Sequence, residues 1–282
     1  MKDSLSNVSR ANLRNMTFDR LFRGRSRRSN DRIRARRYDV ALVWFNEATS
    51  LRQVESFFFG SGNELFGTYH NAVAHSRGHG VLICPPLFNE YYRSHFAIRR
   101  IAAELAHKGY DVLRFDYSGT GDSKGAIPPS VCCAWSHEIG SATHQLRSLG
   151  CRVMSVIAAR FSASLVLRWR AEFNKYVCWD PIFDPDAYML QLDATHNASL
   201  AQHRDMPEAE RHTCSQSDFL GTGVSRATIA ESVFQLAGEM GRQATRTLPA
   251  GGIEVKSEIE WTSPDLRMIY AHDVIKRVSD AF

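Results

Sequence analysis

Val153-Met-Ser-Val-Ile-Ala-Ala-Arg160-Phe-Ser162-Ala-Ser164-Leu-Val-Leu167 is the stretch that decides how this chain folds. An apolar run with β-branched residues passes, without a loop, into small residues and then a helix-like segment. That order predicts a sharp strand-to-helix turn, of the kind that holds an attacking Ser between two glycines. In the most natural register the glycine positions read Ala158 and Ser162, and the residue between them is Arg160. A guanidinium stays protonated at any relevant pH and cannot attack a carbonyl. The turn therefore speaks more clearly for a fold than for a reaction.

Upstream, Val54–Phe59 and Glu64–His70 flank Gly60-Ser-Gly-Asn63 and read as a hairpin. Gly80–Cys84 is wholly apolar, as a strand covered on both faces should be. Ile98, Ile101, Ala102 and Leu105 mark one face of a helix, with Gly109 at its left-handed cap. Asp111–Asp116 is the next strand, and Trp135, Ile139, Ala142, Leu146 and Leu149 outline a second helix closed by Gly150. Strands and helices alternating at this spacing predict a parallel sheet with right-handed crossovers. Downstream, Tyr176–Asp180 is a short strand stopped by Pro181.

From 185 to 246 the strand signal disappears, which predicts a helical cap or lid. Its histidines, His196, His203 and His212, lack metal-ligand spacing and read as solvated. Ile253–Glu260 alternates with period two like a late edge strand, and Pro264–Phe282 reads as a terminal helix. The expected division is a basic, disordered arm (1–50), a core (51–184), the cap (185–246), and the last strand and helix of the core (247–282).

The net charge of +5 is unevenly spread: residues 1–37 carry +9 and the remainder carries −4. The arm, from Arg10 to Arg37, is Arg- and Ser-rich, and no aromatic stacking pattern accompanies its arginines. It reads as a solvated extension, with contact to nucleic acid or anionic lipid, or a targeting presequence, the weaker alternatives. Cys84, Cys132, Cys133, Cys151, Cys178 and Cys214 show neither metal spacing nor a secretory disulfide framework, so buried thiols in a reducing compartment are expected. No apolar run approaches the roughly 18 residues of a membrane span. The expected location is cytoplasmic, and no metal or cofactor is implied.

Four segments together resemble the α/β-hydrolase superfamily, over roughly residues 54 to 236. They are Cys84-Pro-Pro-Leu-Phe-Asn-Glu90, Asp116-Tyr-Ser-Gly119-Thr-Gly121-Asp-Ser123, the Ala158–Ala163 turn, and Trp179-Asp-Pro-Ile-Phe-Asp-Pro-Asp-Ala-Tyr188. They are most similar to the bacterial serine-aminopeptidase-like branch found beside exosortase and polyketide systems. The resemblance implies a mostly parallel twisted sheet with helices on both faces and a helical cap. It also implies that Arg at the turn is a trait of that branch. The seventh strand, which commonly supplies the acid of a catalytic triad, has no counterpart between Gly238 and Gly252. Trp261 stands where a catalytic His is expected.

A cation at a helix N-terminus opposes the macrodipole and calls for an anion. Arg160 can meet a bound carboxylate or phosphate, or pair internally with Glu90 or Asp180; the internal pair is preferred. Sliding the frame by two residues makes Ser162 a nucleophile, with Asp180 and His272 as its acid and base, but then bulky Arg160 occupies a position that wants Gly. Both Ser162 and Ser164 also suit close helix–sheet packing. The amides of Leu87 or Phe88, together with Phe161, are candidate oxyanion donors; Pro85 and Pro86 cannot donate. His272 falls inside an apparent helix, which suits a surface role. Two functions follow: a pseudo-hydrolase that binds an acyl or carboxylate-bearing small molecule, or an ester or thioester hydrolase working through Ser162.

Overall fold

Apolar runs of three to seven residues without a helical period form strands, and the longer 3.6-periodic segments between them form helices. The computed structural model describes residues 54–73, 75–128, 130–169, 173–203, 219–242, 248–249, 251–259, 261 and 271–282. The basic arm, Cys214, His212 and residues 262–270 lie outside them, as does the side chain of His203. The strands are β1 (Val54–Phe59), β2 (Leu65–His70), β3 (His79–Cys84), β4 (Asp111–Phe115), β5 (Val153–Ala159), β6 (Lys175–Trp179) and β7 (Ile253–Val255). The helices are α1 (Phe88–His107), α2 (Val131–Ser148), α3 (Phe161–Trp169), α4 (Pro185–His203), α5 (Arg226–Arg242) and α6 (His272–Asp280).

The seven strands form one sheet in the order β1-β2-β4-β3-β5-β6-β7. β1 and β2 make the expected hairpin, and β2 also runs antiparallel to β4. All other pairings are parallel, with Val81 opposite Val112 and Ser155, and Ala158 opposite Cys178. A parallel sheet needs apolar cover on both faces, and alternation along β5 supplies it. Val156 and Ala158 join the layer that holds Trp135, Ile139 and Leu146 of α2 with Leu165 and Val166 of α3. Ile157 and Ala159 join the opposite layer, with Ile98, Ile101 and Leu105 of α1 and Val274, Ile275 and Val278 of α6. Burying each such aliphatic side chain contributes about 1.5–3 kcal/mol.

The turn after β4 needs its glycines. Gly119 has φ +73, and a Cβ there would lie 2.2 Å from the Ile127 amide nitrogen. Gly121 has φ +51, and a Cβ there would lie 2.2 Å from Asp116 Oδ2. Asp116 fixes this turn by accepting from the Asp122 amide (3.0 Å) and the Tyr91 hydroxyl (2.7 Å).

Three expectations change. The strand expected over Ile253–Glu260 ends at Val255, because the Ser257 amide donates to the Asp180 carboxylate (2.7 Å) instead of to a neighbouring strand. β7 pairs directly with β6, so the segment expected to come last in the sheet fills its seventh place. His196 is buried, its Nδ1 accepting from the Leu220 amide (3.2 Å) and its ring against Phe219, because α4 turns it toward the 3₁₀ turn at Phe219–Gly221. No helix among the described residues is long and apolar enough to cross a membrane.

Candidate functional site

The turn at the end of β5 is built from small residues and one cation. Ala158, Ala159, Ser162 and Ala163 are all buried, which lets α3 start close against the sheet. Arg160 sits at the vertex with φ +56, a conformation that costs a non-glycine residue about 1–2 kcal/mol. Its amide donates to Trp179 O (2.9 Å) and its carbonyl accepts from the Ala163 amide (3.1 Å), so both neighbouring elements hold the turn.

Arg160 is 7% exposed and its side chain turns inward. Nε donates to Glu90 Oε1 (2.9 Å), Nη2 to Gln191 Oε1 (2.8 Å) and Nη1 to Asp180 O (3.5 Å). The guanidinium also lies over the rings of Trp261 (5.2 Å) and Tyr188 (5.7 Å). Of the two expected partners, Glu90 is therefore the one that pairs. Glu90 belongs to the first turn of α1, where a carboxylate suits the helix dipole. Burial pushes its carboxyl pKa up, and the Arg160 charge pulls the other way. Glu90 Oε2 and the Tyr188 hydroxyl are buried and meet no hydrogen-bond partner among the described residues. Burial and the nearby Glu90 both push the Tyr188 hydroxyl pKa up.

Asp180, at the end of β6 with φ +43, faces elsewhere. Its amide donates to Val255 O (2.9 Å). Its carboxylate accepts from the Ser257 amide and hydroxyl and from Trp261 Nε1 (2.9 Å). Pairing of the Asp180 carboxylate with Arg160 is corrected accordingly: the Ser257–Trp261 segment supplies donors from the β7 side, and only the Asp180 carbonyl reaches Arg160. Ser162 is fully buried, donating to Pro85 O (2.5 Å) and accepting from the Tyr117 hydroxyl (3.1 Å). His272 is the exposed first residue of α6, not an interior helical residue. The hydrogen bonds of Ser162, Asp180 and His272 thus do not join them into a relay.

A mostly parallel sheet in this order, an antiparallel β2, and a left-handed residue at the β5–α3 turn together decide the architecture. The chain has the α/β-hydrolase fold. No family model and no curated protein sequence matches it. Among solved structures it is similar to an esterase of Pyrococcus furiosus (15% identity, TM-score 0.47, covering 81% of this chain and 88% of that one). It is also similar to a Xanthomonas campestris protein described as an α/β serine hydrolase without lid (12%, 0.47, 81% and 93%). A third is a probable hydrolytic enzyme of Pseudomonas aeruginosa (14%, 0.47, 81% and 94%).

In this α/β-hydrolase fold a small cleft of about 90 Å³, open to solvent, runs along the loop after β3. Leu87, Phe88, Tyr91 and Tyr92 form one wall, with Thr120 and Leu220 opposite. Leu87 is extended and Phe88 has φ +54, so the chain bends sharply into α1 at the cleft wall. Phe161, the other expected oxyanion donor, does not line the cleft; its ring stacks on Tyr188 at 5.7 Å. The cleft wall has aromatic and apolar surface, backbone amides and neutral hydroxyls, and Arg160 does not line it. Among the described residues no group of three or more His, Cys, Asp or Glu could hold a metal ion.

Sequence reasoning missed Gln191, Trp261 as a donor to Asp180, and Arg93, whose Nη1 donates to Trp261 O (2.8 Å). Gln191 carried no signal, since it is one polar residue in a polar helix. Trp261 did carry one, as an aromatic residue with a single N–H soon after the last strand.

Proposed function

We propose that this chain is a pocket protein built on a hydrolase frame, binding an acyl or carboxylate-bearing small molecule without turning it over. The observation that carries the reading is the buried Arg160–Glu90 pair at the vertex from which a nucleophile would attack. A paired guanidinium neither attacks nor abstracts a proton. Two further contacts support the reading. Trp261, a donor without basic nitrogen, occupies the Asp180 carboxylate where a general base would be oriented. Ser162 is bonded on both sides of its hydroxyl and fully buried, which speaks against the hydrolase alternative. Binding remains open to such a protein, because the cleft beside Leu87 and Phe88 offers apolar walls and a few polar groups, the usual make-up of a ligand pocket.

The test uses the full chain with p-nitrophenyl butyrate and with a fluorophosphonate that labels activated serines. The expected result is hydrolysis equal to the buffer blank and no covalent label. Turnover that disappears in Ser162→Ala, or a label on Ser162, would overturn the reading.

A further inference from the structure

Arg114 on β4 carries a guanidinium fork that the protein leaves incomplete. Its single side-chain hydrogen bond among the described residues runs from Nε to His70 Nε2 (3.1 Å). The side chain is half-buried, on the face of β4 that α1 covers, and the Nη1–Nη2 edge meets no acceptor among the described residues. The neighbouring Asp116 carboxylate already holds the Tyr91 hydroxyl and the Asp122 amide. Tyr91 and His95, one turn apart on α1 and edge to face at 6.0 Å, lie near enough to feel the Arg114 charge, and Tyr91 also lines the cleft. Burial pushes the Arg114 pKa down, against the pull of Tyr91 and Asp116, and Arg99 adds to the lowering. That is the direction expected of a cation short of anions.

We propose that Arg114 receives the carboxylate of the ligand whose acyl body lies in the cleft; this rests on the pocket-protein reading above. With Nε held by His70, the two terminal nitrogens present a flat pair of donors that matches the two oxygens of a carboxylate. The ligand head is a monoanion, because the Asp116 and Asp122 carboxylates nearby disfavour a dianion such as phosphate. Arg160, at the β5–α3 turn, is closed by Glu90 and Gln191 and has no comparable free edge. Tyr91 links the two parts, with its ring on the cleft and its hydroxyl toward Asp116.

The experiment titrates the full chain calorimetrically with decanoate and with decanol at pH 8. Arg114→Gln is expected to weaken decanoate about tenfold or more while leaving decanol within about twofold, as loss of a charged, bidentate contact would. Equal decanoate affinity in Arg114→Gln, or a wild type that binds decanol but not decanoate, overturns the anchor and leaves the pocket standing. Failure of both probes to bind wild type overturns the pocket reading and the anchor with it. Should Arg114→Gln fail to fold, the wild type decides by NMR. Contacts from the decanoate C2 methylene to the His95 ring are expected, and contacts confined to Tyr92 and Leu220 would overturn the placement.

Discussion

Arg160 Nε and Glu90 Oε1 lie 2.9 Å apart, with both side chains less than a tenth exposed. Two buried charges gain little net stability from each other, but either one alone is left uncompensated in a low-dielectric site. Glu90→Ala and Arg160→Ala should each lower unfolding free energy by about 3–5 kcal/mol. Replacing both together, as Arg160→Met with Glu90→Leu, should recover most of that loss. Urea midpoints for the two single variants and the pair give the coupling directly. Additive losses would mean that the pair does not act as one unit.

The sheet was legible because its strands carry their own burial. Val81–Cys84 and Val156–Ala159 are apolar on both faces, and only a covered parallel strand tolerates that. The turn at Arg160 was legible for a similar reason, since small residues crowd both sides of it. The wiring of the site was not. Glu90 and Asp180 were equal partners for Arg160 on sequence, and the choice came from Ser257 and Trp261, residues some eighty positions from Asp180 whose donors take its carboxylate first. His196 looked solvated because a polar helix gives no sign of which turn faces a neighbour. The amide that covers it, Leu220, comes from a segment with no periodic signal.

The glycines of the turn after β4 separate two kinds of strain. Gly119 and Gly125 both have positive φ, +73 and +86, but only Gly119 has backbone atoms within 3 Å of the point where a Cβ would sit. Gly125→Ala should therefore cost only the backbone conformation, about 1–2 kcal/mol. Gly119→Ala adds a clash with the Ile127 backbone, which cannot rotate away, and should cost about 1–3 kcal/mol more. Thermal midpoints of the two variants compare them. Equal shifts would show that the Ile127 loop moves aside at no cost.

His70 gives the chain a predictable response to acid. It is 4% exposed, and its Nε2 accepts from Arg114 Nε, so the ring must be neutral at that nitrogen. Burial first, and then the Arg114 charge, pull its pKa down from 6.5 to about 3. Between those two values the unfolded chain binds a proton that the folded chain refuses, so stability falls as pH falls from 6.5 toward 3. At about 1.36 kcal/mol per pKa unit, the full loss is on the order of 5 kcal/mol. Glu90, Asp116 and Glu138, whose pKa values burial raises, act in the opposite sense, but equally in wild type and in a His70 variant. The difference between wild type and His70→Gln therefore isolates the imidazole, since the Gln carbonyl can still accept from Arg114 without titrating. His70→Gln should match or fall slightly below wild type at pH 7.5 and exceed it below about pH 5. Unfolding free energies measured in urea across that range check it, and parallel profiles for the two proteins would mean that His70 has the same pKa in the folded and unfolded chain.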